Sequence, residues 1–378
     1  MSDIKLTRKQ EEGLKLAVKR YKSREPYTCI AGFAGTGKST LVKYIIKELN
    51  ISDRFIAYVA YTGKASLVLQ RKGCPGATTA HRLLYYSKEL PDGTFIHTPR
   101  EYPENKLKLI IVDEVSMLEK EQWEILMRWG IPVIALGDPF QLPPIHEDNG
   151  VLAHPHVFLD QVMRQAQDSE IIRLSMDIRD GKSLSLYKGK DIAVVSKQQI
   201  TDPLLLKADQ VLCGKNATRF DLNQRIRKAI WGDKYQIAPI EGDKIICLKN
   251  YWDRGNLTNG TIGTIGKIAT LDSRSLKPMM LANFESDIGD KYTILNMDYK
   301  IFTEGKTTVN KDNWRDFHRE IRPMEFDYGY AITVHKSQGS EFDKVVLFNE
   351  YLGSEREHYL RWLYTGVTRA SKKLIVGI

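Results

Sequence analysis

Gly32-Phe33-Ala34-Gly35-Thr36-Gly37-Lys38-Ser39 fits the pattern G-x-x-x-x-G-K-[ST] at every fixed position. An apolar run, Tyr27 to Ala31, precedes it, and an amphipathic run, Thr40 to Leu49, follows. The spacing therefore predicts strand, loop and helix in that order. Small residues let backbone N–H groups curl around phosphate oxygens, and the helix begins with its partial positive end on the anion. Gly35, Thr36, Gly37 and Thr40 are expected around a nucleotide's phosphates. Lys38 can reach the β- and γ-phosphates, and the Ser39 hydroxyl can ligate Mg²⁺. The plainer reading is a glycine turn between a strand and a helix.

Working outward, Thr7 to Tyr21 reads as a helix with Thr7 as its N-cap. Short β-branched runs then alternate with helices, near Thr28–Gly32, Phe55–Ala60, Leu109–Val112, Val133–Gly137 and Val157–Leu159. Such runs suit parallel strands buried on both faces of an α/β domain. The segment Tyr85 to Lys106 interrupts the alternation. Its turn signal Pro91-Asp92-Gly93 and the run Thr94–Thr98 read as an inserted β-hairpin. A second α/β region is expected from Val151, with a helix around Asp168–Asp180, a strand Gln210–Gly214 and a helix Ala217–Trp231. From about Glu241 to Arg322, short strands separated by turns suggest a small β-barrel: Asp243–Leu248, Thr261–Ile268, Met279–Phe284, Lys291–Asn296 and Tyr299–Phe302. The α/β pattern resumes at Phe326.

The expected domains are therefore residues 1–150 with the hairpin at 85–106, then 151–240 together with 323–378, with the barrel at 241–322 inserted. A chain of 378 residues with 42% hydrophobic and 27% charged residues suits several ordinary globular domains. No run reaches the length of a membrane span, and Met1-Ser2-Asp3-Ile4-Lys5 has no apolar region of a signal peptide. Cys29, Cys74, Cys213 and Cys247 have neither zinc-ligand nor disulfide-framework spacing, which suits a reducing cytoplasm. The net charge of +9 favours a polyanionic partner, nucleic acid first.

Leu109-Ile110-Ile111-Val112-Asp113-Glu114 is an apolar strand ending in two acids. After a phosphate loop, Asp113 is expected on Mg²⁺, because a hard cation takes carboxylate oxygen. Glu114 is expected to take a proton from the attacking water, which implies hydrolysis. Gly137-Asp138-Pro139-Phe140-Gln141-Leu142-Pro143-Pro144 follows the next strand, where ligands of open α/β sheets bind. Gln141 could contact the γ-phosphate there.

These motifs, in this order, resemble the B branch of superfamily 1 helicases, the Dda- and RecD-like group. The resemblance runs from Leu6 to the C-terminus. It implies two RecA-like P-loop domains, a pin in place of the hairpin and an SH3-like barrel. Leu6-Thr7-Arg8-Lys9-Gln10 resembles the adenine motif, with Gln10 on the base, although Thr7 and Gln10 also spell a helix capping box. Ala60-Tyr61-Thr62-Gly63-Lys64-Ala65 and Thr78–Leu84 resemble the first DNA motifs, implying Thr62, Lys64 and His81 along DNA. Tyr61 stands where most relatives carry proline. Val162-Met163-Arg164-Gln165 and Tyr364-Thr365-Gly366-Val367-Thr368-Arg369-Ala370 resemble the fourth and sixth motifs, implying that Arg164 and Arg369 reach the γ-phosphate. In Ala331–Glu341, Thr333, His335 and Lys336 match DNA-side positions, and Gln338, Gly339 and Glu341 match nucleotide-side ones. Cys213–Arg219 resembles the second DNA grip, with Asn216 and Thr218 on phosphate. Phe95 becomes the pin's base-stacking residue, and Phe140 joins the DNA side.

The resemblance implies an ATP- and Mg²⁺-dependent monomeric enzyme. It would translocate 5′ to 3′ on single-stranded DNA and open forks by coupling hydrolysis to domain closure. Single-strand-binding and replication or recombination proteins are the implied protein partners, with no membrane. The competing expectation is a DNA-stimulated translocase that strips proteins and unwinds little.

Overall fold

Alternate residues of the apolar strands fall into two separate cores, which makes the first sheet a central layer. Ile110, Val112, Val133 and Ala135 pack with Trp123, Ile125 and Leu126 on one face. Leu109, Ile111, Ile134 and Leu136 pack with Ala17, Leu41 and Ile45 on the other. The computed structural model describes residues 6–89, 95–144, 147–162, 168–251, 257–272, 279–287, 289–308, 322–352 and 355–378. Packing divides the chain into two compact units. The first comprises Met1–Ser87, His97–Ser183 and Glu355–Thr368, and the second Lys88–Ile96, Leu184–Ser354 and Arg369–Ile378.

The strands of the first unit's sheet are β1 (Tyr27–Gly32), β2 (Ile56–Ala60), β3 (Thr78–Thr79), β6 (Leu109–Val112), β7 (Val133–Gly137) and β8 (Val157–Leu159). They lie in the order β3-β2-β6-β7-β1-β8, with every pairing parallel. Between β3 and β6 the chain forms a separate two-stranded sheet, β4 (Tyr85–Glu89) with β5 (Phe95–Pro99). The expected turn Pro91-Asp92-Gly93 and Thr94 lie outside the described residues.

The first sheet does not stop at residue 150. β8 pairs with β1 through Ile30–Val157, Ala31–Phe158 and Gly32–Leu159. The helix Glu170–Arg179, capped by the Ser169 hydroxyl on Ile172 N, and the helix Arg356–Val367 also belong to the first unit. Both were expected in the second domain. Arg356 donates to the Gly181 carbonyl at 2.8 Å, closing one end of that packing.

The second unit holds β9 (Tyr187–Lys188), β10 (Ile192–Val195), β11 (Gln210–Cys213), β17 (Ala331–Thr333), β18 (Phe342–Phe348) and β19 (Ala370–Gly377). They are ordered β17-β11-β18-β19-β10-β9, parallel except at β9. Inserted between β11 and β17 is a five-stranded antiparallel sheet in the order β15-β14-β13-β12-β16. Its strands are β12 (Lys244–Cys247), β13 (Ile262–Asp272), β14 (Met279–Ser286), β15 (Lys291–Asp298) and β16 (Phe326–Tyr328). Phe284, Met297, Phe302 and Phe326 form its core.

Tyr299–Phe302 was expected as a strand and is the start of a helix, Tyr299–Glu304. Asp298 caps it by accepting from Lys300 N at 3.1 Å, and Gly305, at φ +68°, ends it. A buried ion pair joins the insertion to the α/β layer. Arg227, on the helix Asn216–Trp231, and Asp243, just ahead of β12, are both fully buried and meet at 2.9 Å. Trp231 Nε1, Tyr330 Oη and Ile240 N also donate to Asp243, so its carboxylate is saturated.

All four cysteines are free thiols. Burial pushes those of Cys29, Cys213 and Cys247 up to about 12. Among the described residues no helix is long and apolar enough to cross a membrane.

Candidate functional site

Because the first sheet is parallel, its strands deliver their C-terminal ends to one edge. That edge receives Gly32 from β1, Asp113 and Glu114 after β6, and Asp138 after β7. The loop after β1 then turns into the helix Lys38–Leu49. Gly35 and Gly37 sit at φ +75° and +80°, a region that side-chain-bearing residues avoid. At Gly32 a Cβ would meet the Thr36 hydroxyl at 2.7 Å. Lys38 Nζ donates to the carbonyls of Gly32 (2.7 Å) and Phe33 (3.1 Å), so its ammonium lies over the loop.

Gln10 is almost fully buried beside this loop. Its amide oxygen accepts from Thr7 N at 2.9 Å and its amide nitrogen donates to the Thr36 carbonyl at 3.2 Å. The capping box is therefore formed, and the side chain ties the first helix to the phosphate loop.

The two acids are held differently. Asp113 Oδ1 accepts from Glu114 N at 3.1 Å. Burial first, then the neighbouring Glu114 charge, push the Asp113 carboxyl up to about 6, against the pull of Lys38. Glu114 adopts φ +54°, ψ +51°, a left-handed conformation that costs a non-glycine residue about 1–2 kcal/mol. That backbone turn places its carboxylate by Gln141, whose Nε2 lies 3.5 Å from Glu114 Oε1. Glu114 Oε2 and Gln141 Oε1 are both buried without a hydrogen-bond partner. Native proteins rarely leave such atoms unpaired, and two of them facing one site mark a place where a ligand or water is handled.

Among the described residues no cluster of three or more His, Cys, Asp or Glu side chains could enclose a metal. Mg²⁺ fits this site in another way, because it takes one or two protein oxygens and completes its shell with phosphates and water. Ser39 and Asp113 would supply those oxygens, and a cation beside Asp113 would relieve the burial of its charge.

The Gln141 loop is gripped from behind by the helix Arg356–Val367. Tyr364 Oη donates to Asp138 Oδ2 at 2.6 Å and accepts from Ala34 N, in the phosphate loop, at 3.0 Å. Leu142 N donates to Thr365 Oγ1 at 3.0 Å, and Arg361 donates to the Pro139 carbonyl at 3.1 Å. The Phe140 ring stands edge-on to Tyr364 with centroids 5.2 Å apart. Asp138 is wholly buried, and burial raises its pKa against the opposing effects of Lys38 and Tyr364. Reading the sequence singled out neither Asp138 nor Tyr364. A lone acid closing an apolar strand and a tyrosine inside a buried helix were the available signals.

Other expected residues of the first unit occupy local roles. Thr62 caps the helix Gly63–Arg71 by accepting from Ala65 N at 3.1 Å, and Lys64 lies in that helix's first turn. His81 stacks on Tyr85 with ring centroids 4.9 Å apart and meets the edge of His97 at 4.3 Å. Burial, then the His97 charge, lower its pKa to about 4, and its Nδ1 is buried without a partner. Phe95 opens β5, and its side chain is outside the described residues, as is Arg164.

In the second unit, Arg369 is buried and donates to the Ser340 carbonyl at 3.0 Å, beside Gln338, Gly339 and the exposed Glu341. Thr333 caps the short helix Val334–Ser337 through Lys336 N. His335 and Lys336 lie on that turn, and burial lowers the Lys336 pKa. Asn216 is exposed at the first turn of the helix Asn216–Trp231. The adjoining anion position is already filled. Glu350 accepts from Gly214 N (2.6 Å), Lys215 N (3.0 Å) and Thr218 Oγ1 (2.6 Å). This acid, distant in sequence, was invisible to a reading of local motifs.

A phosphate loop, a paired-acid strand end and a glutamine loop on one parallel edge define a P-loop nucleotide-binding α/β protein. Comparison with known proteins narrows the class. Residues 5–197, just over half of the chain, match the family model described as AAA domain, and residues 328–376 match the UvrD-like helicase C-terminal domain. The chain is 28% identical over 189 residues to the ATP-dependent DNA helicase Dda of phage T4, covering 47% of this chain and 43% of that one. It is 27% identical over 378 residues to the RecD2 DNA helicase of Deinococcus radiodurans, covering 90% and 45%. The chain thus spans under half the length of these two relatives. In fold it is similar to the Pif1 helicase of Candida albicans (TM-score 0.57, 20% identity, 99% and 94% covered). It is also similar to a Bacteroides Pif1 helicase solved with ADP–AlF₃ and single-stranded DNA (TM-score 0.58, 18% identity, 100% and 93% covered). The chain belongs to the family described as AAA domain.

Proposed function

We propose that this chain is an ATP-driven DNA helicase. The observation that carries the reading is the edge where Lys38, Asp113, Glu114 and Gln141 come together, with Glu114 Oε2 and Gln141 Oε1 buried and unpaired. The phosphate loop and Lys38 bind the triphosphate. Ser39 and Asp113 hold Mg²⁺, which supplies charge neutralisation on the phosphates when bound. Glu114 accepts the proton of the attacking water, and Gln141 orients that water or the γ-phosphate. Arg164 and Arg369 are the guanidinium groups for the transition state. Their role rests on the motif resemblance, as do domain closure during the cycle and 5′-to-3′ movement.

Thr62, Lys64, His335, Lys336 and Asn216 would hold the sugar-phosphate strand without reading bases, and Thr218 would join them once its hydroxyl leaves Glu350. Phe95 on β5 would stack on the base at the fork. The chain's net charge of +9 supports a polyanionic track.

The test is strand separation on two partial duplexes, one with a 5′ and one with a 3′ single-stranded tail, with ATP and Mg²⁺. The expected result is unwinding of the 5′-tailed duplex alone, abolished by Lys38→Ala. Unwinding from the 3′ tail overturns the polarity. ATP turnover stimulated by single-stranded DNA without unwinding replaces the helicase with a translocase.

A further inference from the structure

The phosphate loop and the Gln141 loop are separate in sequence and meet through one hydroxyl. Tyr364 uses its single donor on Asp138 and an acceptor lone pair on Ala34 N, both at good hydrogen-bond distance. It is 1% exposed, so water does not compete for either bond. Asp138 in turn accepts from Phe140 N at 2.9 Å, next to Gln141. The path Ala34 N, Tyr364 Oη, Asp138 carboxylate, Phe140 N is continuous from the phosphate loop to the residue adjoining Gln141. Thr365 and Arg361 hold the flanking backbone at Leu142 and Pro139. One helix therefore fixes the loop on both sides of Gln141.

We infer that Tyr364 is a positioning residue for hydrolysis, setting the Gln141–Glu114 pair in register with the phosphate loop. This rests on the ATP-hydrolysing part of the reading above and does not depend on unwinding. Backbone N–H groups of the loop hold the phosphates without Tyr364, so nucleotide binding survives its loss. The water-orienting pair needs placement within a fraction of an ångström, so turnover does not.

The test compares the wild-type chain with Tyr364→Phe, which keeps the ring against Phe140. ATP turnover and the dissociation constant of a fluorescent ATP analogue are both measured. A roughly tenfold lower kcat with a dissociation constant within about twofold is expected, equivalent to about 1.4 kcal/mol in the barrier.

Asp138→Asn is the second variant. It leaves one acceptor oxygen for the two donors Tyr364 Oη and Phe140 N with the side-chain shape kept, and it carries the test if Tyr364→Phe does not fold. Equal kcat, or loss of binding and turnover in proportion, overturns the inference. Wild type that hydrolyses ATP but does not unwind sinks the helicase reading and leaves this one intact. Wild type without ATP hydrolysis overturns both.

Discussion

Asp113→Asn should make the protein more stable at neutral pH while abolishing turnover. The fold raises the Asp113 carboxyl from 3.8 to about 6, chiefly by burial and then by the Glu114 charge. A carboxyl with a raised pKa favours the folded state when protonated. Its contribution is fully present below pH 3.8 and is lost as the pH rises through about 6. Moving from 3.8 to about 6, at about 1.36 kcal/mol per tenfold in proton affinity, gives roughly 3 kcal/mol as an upper bound. For a unit of this size that is roughly 6–12 °C in melting temperature.

The assay is thermal unfolding of wild type and Asp113→Asn between pH 4 and 8, without nucleotide or Mg²⁺. Asparagine keeps an acceptor for Glu114 N, so the comparison isolates the charge. The variant's advantage should grow from near zero at pH 4 to its plateau by pH 7. Parallel curves, or a wild type that gains on the variant as pH rises, would show that the site welcomes the charge, and the reasoning would fail. Mg²⁺–nucleotide should narrow the gap at pH 7, because it stabilises the wild-type carboxylate.

Other outcomes follow from buried polar contacts. Asp243→Ala leaves Arg227 as an unpaired, fully buried charge and is expected to cost about 3–5 kcal/mol in urea unfolding. A loss under about 1 kcal/mol would mean that water reaches the pair. Glu350→Gln removes the charge that Gly214 N, Lys215 N and Thr218 hold, and should lower stability by about 1–2 kcal/mol. If DNA phosphate uses that helix start, the same variant binds single-stranded DNA more tightly at low salt. Weaker binding would assign Glu350 to shaping the grip.

The phosphate loop and the acid pair were legible because their chemistry fixes residue types at fixed spacings. Most strands of the first sheet were legible because double burial writes continuous apolar runs, whereas in the second sheet Gln210–Gly214 was read and Ile192–Val195 and Phe342–Phe348 were not. What local reading missed depends on partners far away in sequence. Tyr364 meets Ala34 and Asp138, and Glu350 meets Gly214, each more than a hundred residues away. Tyr299–Phe302 was misread from its aromatic and β-branched content, although Asp298 and Gly305 bracket it as a helix. Val157–Leu159 was recognised as a strand, but its place beside β1 is a matter of tertiary pairing.

The first unit is assembled from three stretches of chain, the last being Glu355–Thr368. Its buried Trp362, Tyr364 and Thr365 reach their places only after residues 184–354 have been synthesised. On the ribosome the earlier stretches must therefore wait with the backs of Asp138 and Leu142 uncovered. An N-terminal fragment ending at Ser183 should accordingly be prone to aggregation, and a peptide spanning Glu355–Thr368 supplied in trans is the natural complement to rescue it.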